Sequence, residues 1–233
     1  DQPRSRGLGD VYKRQIMCWA DIAAAGNVQR AFLMHACLLF WAIRLTYNWM
    51  RSWEGFSHED WRYIMMKGKT NNKLQYFIVD FGSIHLIPTL CVYMALLPMI
   101  YALAYLGNEL NNLDILAAFL AIAAVIIQII SDQQMFNFRR NLSEPKTMKS
   151  GLWYYSRHPN YFGEILFWFS LFVFALAANF NFAWLLVGTL IMYALIAIAS
   201  VSMMDKRSLE RRSDFKEYMD STPAIFINIF KRG

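Results

Sequence analysis

The sequence predicts an all-α fold: a polytopic transmembrane helical bundle of about five spans. Three observations predict it. The 233 residues are 57% hydrophobic and only 17% charged, whereas a soluble domain has about 45–50% apolar and about 25% charged residues. Five apolar stretches approach or exceed the roughly 20 residues that a spanning helix needs. The basic residues gather between those stretches rather than along them. The same composition excludes intrinsic disorder, which needs low hydrophobicity.

Residues 1–15, DQPRSRGLGDVYKRQ, are polar and show no apolar period. The string GLGDVYKRQ resembles translated adapter sequence, so this stretch is expected to be a non-native leader and is excluded from fold reasoning. Residues 16–25 are apolar but too short to span. The expected spans are 28–50, 77–106, 113–131, 161–178 and 182–204. The second is long, and Pro88 and Pro98 predict kinks in it or a tilted, broken helix. There is no internal repeat or low-complexity linker, so 16–233 reads as one helical membrane domain. Cys18, Cys37 and Cys91 match no metal or redox spacing. His35, His58, His85 and His158 are scattered with no HExxH motif, so no metal site is expected.

The 23 Lys and Arg decide what the formal charge of +6 means. Loop 51–76 carries Arg51, Arg62, Lys67, Lys69 and Lys73. Loop 132–160 carries Arg139, Arg140, Lys146, Lys149 and Arg157. The tail carries Lys206, Arg207, Arg211, Arg212, Lys216, Lys231 and Arg232. The turns at 107–112 and 179–181 carry none. With five spans, all three basic segments fall on one side, which the positive-inside rule makes cytoplasmic. The charge therefore reads as membrane orientation, with the lipid bilayer as partner and no nucleic acid.

Ionisable groups within spans are costly and usually face the bundle interior. Arg44, Asp80, His85, Asp132 and Glu164 are of this kind. Arg44 suits either snorkelling to the interface or a functional role. Asp80 and His85, near the start of a span, suit either the interface or a substrate pocket. Gln128, Asp132 and Arg139 are spaced by four and seven, which places them on one helical stripe. A carboxylate there can accept from an amide or hydroxyl, and a guanidinium can fork onto phosphate.

A second segment runs SGLWYYSRHPNYFGE over 150–164. Pro159 can open a helix at its first turn. Arg157 and His158 then flank a helix N-terminus, where free N–H groups and the dipole favour an anion. Asn160 and Glu164 are four apart and share a face. Gly163 permits close approach of a bulky ligand or a helix.

The run GLWYYSRHPNYFGE resembles the signature of the steroid 5-alpha-reductase C-terminal domain family, in particular its bacterial membrane members. WAIRLTYNWMRSWEG (41–55), HEDWRY (58–63), SDQQMFNFRRN (131–141) and the tail residues Phe215-Lys216-Glu217-Tyr218 with Thr222-Pro223 agree with it. The resemblance covers roughly residues 30–227. It implies an integral protein of the bacterial inner membrane that binds NADPH from the cytoplasm. Its reaction would be reduction of a carbon–carbon double bond conjugated to a carbonyl in a lipophilic substrate. Residue by residue, Asp132, Arg139, Asn160 and Glu164 match cofactor-binding or rim positions. Gln128 stands where steroid reductases carry Asn. Arg157, His158 and Tyr161 complete the expected cofactor set.

Two departures are visible. The acid that polarises the substrate carbonyl in the steroid enzymes lies in a region without counterpart here, so no catalytic proton donor is assigned. Their tail His and Tyr are replaced by basic residues around Arg207 and Arg211. The RHPxYxG run also resembles isoprenylcysteine and phospholipid methyltransferases, which makes an S-adenosylmethionine-dependent methyltransferase the alternative. The paired-Glu tail motif of those enzymes is missing, since Glu210 and Glu217 are isolated.

Overall fold

A computed structural model of the chain describes residues 27–53, 55, 61–68, 70, 72–105, 109–141 and 146–227. The expected leader and the apolar 16–25 stretch lie outside the described residues. Among the described residues eight helical elements follow one another: α1 (Val28–Arg51), α2 (Trp61–Gly68), α3 (Lys73–Ala104), α4 (Asn112–Arg140), α5 (Leu152–Tyr155), α6 (Pro159–Ala178), α7 (Phe180–Arg211) and α8 (Phe215–Ser221). Among the described residues there is no strand. Helices α1, α3, α4, α6 and α7 are long and apolar enough to cross a bilayer, and the chain is an integral membrane protein. Large apolar side chains such as Phe32, Leu39, Ile115, Phe119 and Ile198 stay exposed on the outside of the bundle, as lipid contact requires.

The expected spans are recovered, and the helices run past the apolar stretches at their basic ends. Helix α4 continues nine residues beyond 131 to Arg140. Its apolar run stops where hydrocarbon stops, but its backbone hydrogen bonding does not. At its other end Asn111 and Asp114 form a reciprocal capping box, which satisfies two N–H groups that a helix start otherwise leaves orphaned.

Helices α4 and α6 form the most closely packed pair. Ala117, Ala121 and Ala124 of α4, all fully buried, make this possible. Small residues on one helix face let two backbones approach within a membrane. Gly163 belongs to the same contact. A Cβ there would stand 2.6 Å from Gln128 Cγ and 2.8 Å from the Ala124 carbonyl oxygen. Of the two roles open to Gly163, approach of a helix is the one realised. Helix α1 lies along α4 and places Trp41 flat on Phe167, with ring centroids 5.2 Å apart and planes 11° apart.

The two prolines of α3 have separate consequences. Pro88 has no N–H to offer the carbonyl four residues back, and the helix answers with a π-helical turn over Phe81–Leu86. Ile87 N–H there bonds to the Gly82 carbonyl, five residues back, as in a π-bulge. Pro98 likewise leaves the Met94 carbonyl without its helical donor. Gly188 of α7 sits against that carbonyl so closely that a Cβ would stand 2.2 Å from its oxygen. The proline on α3 and the glycine on α7 are two halves of one contact.

Candidate functional site

The basic ends of the helices enclose a cavity of about 230 Å³. Its walls come from α1 (Asn48, Arg51), α4 (Asp132, Met135, Phe136, Arg139), α6 (Asn160, Tyr161) and α7 (Met204, Ser208). Arg157, His158, Arg212, Thr147, Trp153 and Tyr218 close it from the connections and the tail. The volume is below the roughly 300–1,000 Å³ of whole small-molecule pockets, so it suits the head of a longer ligand.

Six of the eight sequence-predicted site residues line this cavity: Asp132, Arg139, Arg157, His158, Asn160 and Tyr161. The remaining two, Gln128 and Glu164, lie deeper and meet each other. Gln128 Nε2 donates to Glu164 Oε2 at 2.9 Å. The same oxygen accepts from Trp41 Nε1 at 3.1 Å, and Glu164 Oε1 accepts from Trp168 Nε1 at 3.0 Å. Two indoles and an amide thus satisfy a carboxylate inside the bundle, as a buried acid requires.

Arg44 joins the two levels. Its Nη2 donates to Asp132 Oδ2, and its Nη1 stands 4.0 Å from Glu164 Oε2. Its side chain is 8% exposed, so it pairs inward rather than snorkelling. Asp132 therefore contributes no uncompensated negative charge to the wall. Four polar atoms at or just below the cavity are buried without a hydrogen-bond partner: Arg44 Nε, Gln128 Oε1, Arg157 Nε and Asn160 Oδ1. Such groups are rare in folded proteins.

Arg157 and His158 have a role that the helix-entry reading did not include. Arg157 Nη1 donates to the carbonyls of Met219 and Thr222 at 2.9 and 2.7 Å, and its Nη2 to Asp205 Oδ2 at 2.8 Å. His158 Nε2 meets Asp205 Oδ1 at 2.8 Å. The backbone N–H groups of Arg157 and His158 bond to the carbonyls of Pro223 and Ala224. Tyr218 Oη donates to the Trp153 carbonyl. Together these contacts strap the tail across the cavity. Arg157 keeps only its Nε, buried and without a partner, so its phosphate-binding capacity is largely spent on the tail.

Arg139 and Arg212 differ from Arg157 in this respect. Neither makes an ion pair among the described residues. Burial, then the charges of Arg139 and Arg211, holds the Arg212 guanidinium below the usual arginine range, with Asp214 opposing. This is a cluster of like charge with no ion pair among the described residues, Asp214 being the acid that acts on it. Arg51, also in the wall, donates to Asn48 Oδ1 and Gln133 Oε1 and lies 4.6 Å over the Phe136 ring.

Sequence reasoning passed over Trp41, Trp168, Asp205 and Arg212. Trp168 stands four residues after Glu164, a spacing that puts both on one helix face. Trp41 and Asp205 carry no such local signal, because they meet their partners only through tertiary packing. Arg51 and Arg212 had been counted as orientation charges, and both also line the cavity.

The fold and the site define a class: a polytopic helical membrane protein with an arginine-rich cavity at one end of the bundle. Residues 13–222 match the family described as a protein of unknown function, DUF1295, and the chain belongs to that family. The chain is also 26% identical over 228 residues to an uncharacterized protein, C594.04c, of Schizosaccharomyces pombe, covering 85% of this chain. It spans 63% of that relative's length. No solved structure matches significantly.

Proposed function

We propose that the protein is a membrane reductase that takes NADPH at the basic end of the bundle and reduces a lipophilic substrate. The carrying observation is the charge of the cavity wall. Arg51, Arg139, Arg157 and Arg212 line it, and the one acid among its described lining residues, Asp132, is paired with Arg44. A dinucleotide with three phosphates brings the negative charge that Arg139 and Arg212 lack. S-adenosylmethionine brings a sulfonium cation, which this wall disfavours.

The residues present fit such a cofactor. Arg139 and Arg212 can fork onto phosphate oxygens. Asn160 Oδ1 and Gln128 Oε1, both without partners, can accept from a carboxamide N–H₂. When bound, the cofactor supplies hydride transfer. Glu164 is held by four neighbours and orients Gln128, Trp41 and Trp168 at the inner end of the site. The tail strap from Arg157 to Tyr218 covers one side of it, a start on the shielding from water that hydride chemistry needs. The basic end then faces the cytoplasm, and the bilayer delivers the substrate.

The experiment is a thermal-shift comparison in detergent. A ligand that binds only the folded state raises apparent stability. NADPH is expected to raise the melting temperature in a saturable way, and S-adenosylmethionine is not. A shift with S-adenosylmethionine alone would support the methyltransferase reading instead.

A further inference from the structure

Asp80 and His85 stand apart from the cavity, on the half of α3 that begins at Lys73. That half is unusual within the bundle. None of the residues of Lys73–Asp80 or Phe81–Leu86 is buried, so the pair is not there to hold helices together. Its placement follows from the π-helical turn. In an α-helix two residues five apart point about 140° away from each other, given 3.6 residues per turn. The wider turn over Phe81–Leu86 closes hydrogen bonds five residues back and brings positions 80 and 85 toward one side.

The resulting geometry leaves a gap. His85 Nε2 and Asp80 Oδ2 are 3.7 Å apart, too far for a direct hydrogen bond. The His85 side chain is 55% exposed, and Asp80 Oδ1 is buried without a partner. One hydroxyl oxygen can stand about 2.8 Å from both facing atoms, accepting from the imidazole N–H and donating to the carboxylate. The pair offers one donor and one acceptor, which suits a hydroxyl better than a phosphate.

The depth is right for a membrane alcohol. From His85 to Ala104 the helix rises about 28 Å at 1.5 Å per residue, close to the roughly 30 Å of bilayer hydrocarbon. The pair therefore lies at one edge of the hydrocarbon, where the hydroxyl of a lipid alcohol sits. Phe77, Ile78, Phe81, Leu86 and Ile87, its neighbours along the same helix, are all exposed and favour an apolar chain over a water-soluble alcohol.

We propose that Asp80 and His85 form a binding site for the hydroxyl of a long-chain lipid alcohol that approaches from the bilayer. The site goes beyond the cofactor reading and does not depend on it. The test uses the full chain in lipid nanodiscs and a hexadecanol carrying a photoreactive diazirine. The methyl ether of the same molecule, which cannot donate, is the control. Labelling of residues 73–90 is measured by mass spectrometry. The alcohol is expected to label this segment about five-fold more than the ether, roughly the weight of one hydrogen bond. Asp80→Ala and His85→Phe are each expected to bring that ratio to about one. A ratio of about one in the wild-type protein, which needs no variant, overturns the site. So does a preference that survives either substitution.

Discussion

Arg30 with Asp114 at one end of the bundle, and Arg44 with Asp132 at the other, both join α1 to α4. The first pair is closed. Arg30 Nε and Nη2 reach the two Asp114 oxygens at 2.8 and 2.9 Å, Nη2 also reaches the Glu109 carbonyl, and both side chains are fully buried. Asn111 extends the lock to α6 by donating to the Ala177 carbonyl. The second pair is open. It borders a cavity, shares Arg44 with Glu164, and leaves Arg44 Nε without a partner. The same two residue types on the same two helices thus do different work. Saturated hydrogen bonding makes a clasp, and unsaturated hydrogen bonding beside an arginine-rich wall is what the proposed cofactor site rests on.

The largest effect that separates the two ends is on stability. Arg30→Ala strands the Asp114 carboxylate in the interior and is expected to cost about 3–5 kcal/mol, read as a lowered melting temperature in detergent. Arg44→Ala is expected to cost less stability and to weaken NADPH binding, since the cavity lets water reach Asp132. Equal destabilisation by both, with cofactor binding untouched, would erase the distinction.

Next in size is Gly188→Ala. Its Cβ meets backbone rather than a mobile side chain, so about 1–3 kcal/mol of overpacking is expected. This change acts on α3 and α7 and should leave NADPH affinity unchanged in the protein that remains folded. Arg139→Ala and Arg212→Ala should do the reverse. Each removes a charge-assisted bond to phosphate and is expected to weaken NADPH binding roughly tenfold or more, without lowering the melting temperature.

The smallest expected effect concerns pH. Burial disfavours the Asp214 carboxylate, but hydrogen bonds from the Thr147 hydroxyl and backbone and the charge of Lys149 outweigh it and hold the group below the usual carboxylate range. The folded value is depressed, so its stabilisation is present above about pH 4 and is lost as pH falls through the folded value. Asp214→Asn should flatten the acid limb of a melting-temperature profile and leave the neutral region nearly unchanged. An unaltered acid limb would mean that this contact carries no stability.

The membrane bundle was legible because it rests on local signals: apolar run length and the placement of charge. Five apolar runs correspond to five helices long enough to span, the second of them the long α3. Helix ends were less legible. The polar last turns of α4 and α7 remain helical through Arg140 and Arg211, and an apolar count stops before them. The π-helical turn at Phe81–Leu86 has a local cause in Pro88, yet proline by itself predicts a kink or a break and not this turn.

The site was legible where residues sit on one helix. The 128–132–139 stripe and the 160–164 pair converge on one region: Gln128 and Glu164 meet inside the bundle, Asp132 and Asn160 line the cavity, and Arg139 reaches its wall while staying exposed. It was not legible where partners come from different helices. Nothing near Glu164 in sequence announces Trp41, and nothing near Arg157 announces Asp205. Arg157 looked like a phosphate ligand because its neighbours resemble a helix entry, and its actual partners lie more than 45 residues away.

The central claim is that the open end binds a phosphate-rich nucleotide. Equilibrium titration of the purified protein with NADPH, alongside Arg139→Ala and with S-adenosylmethionine as competitor, tests it most directly. The account predicts saturable NADPH binding, roughly tenfold weaker in Arg139→Ala and indifferent to the competitor. Absence of saturable binding, or binding that Arg139→Ala leaves unchanged, would contradict it.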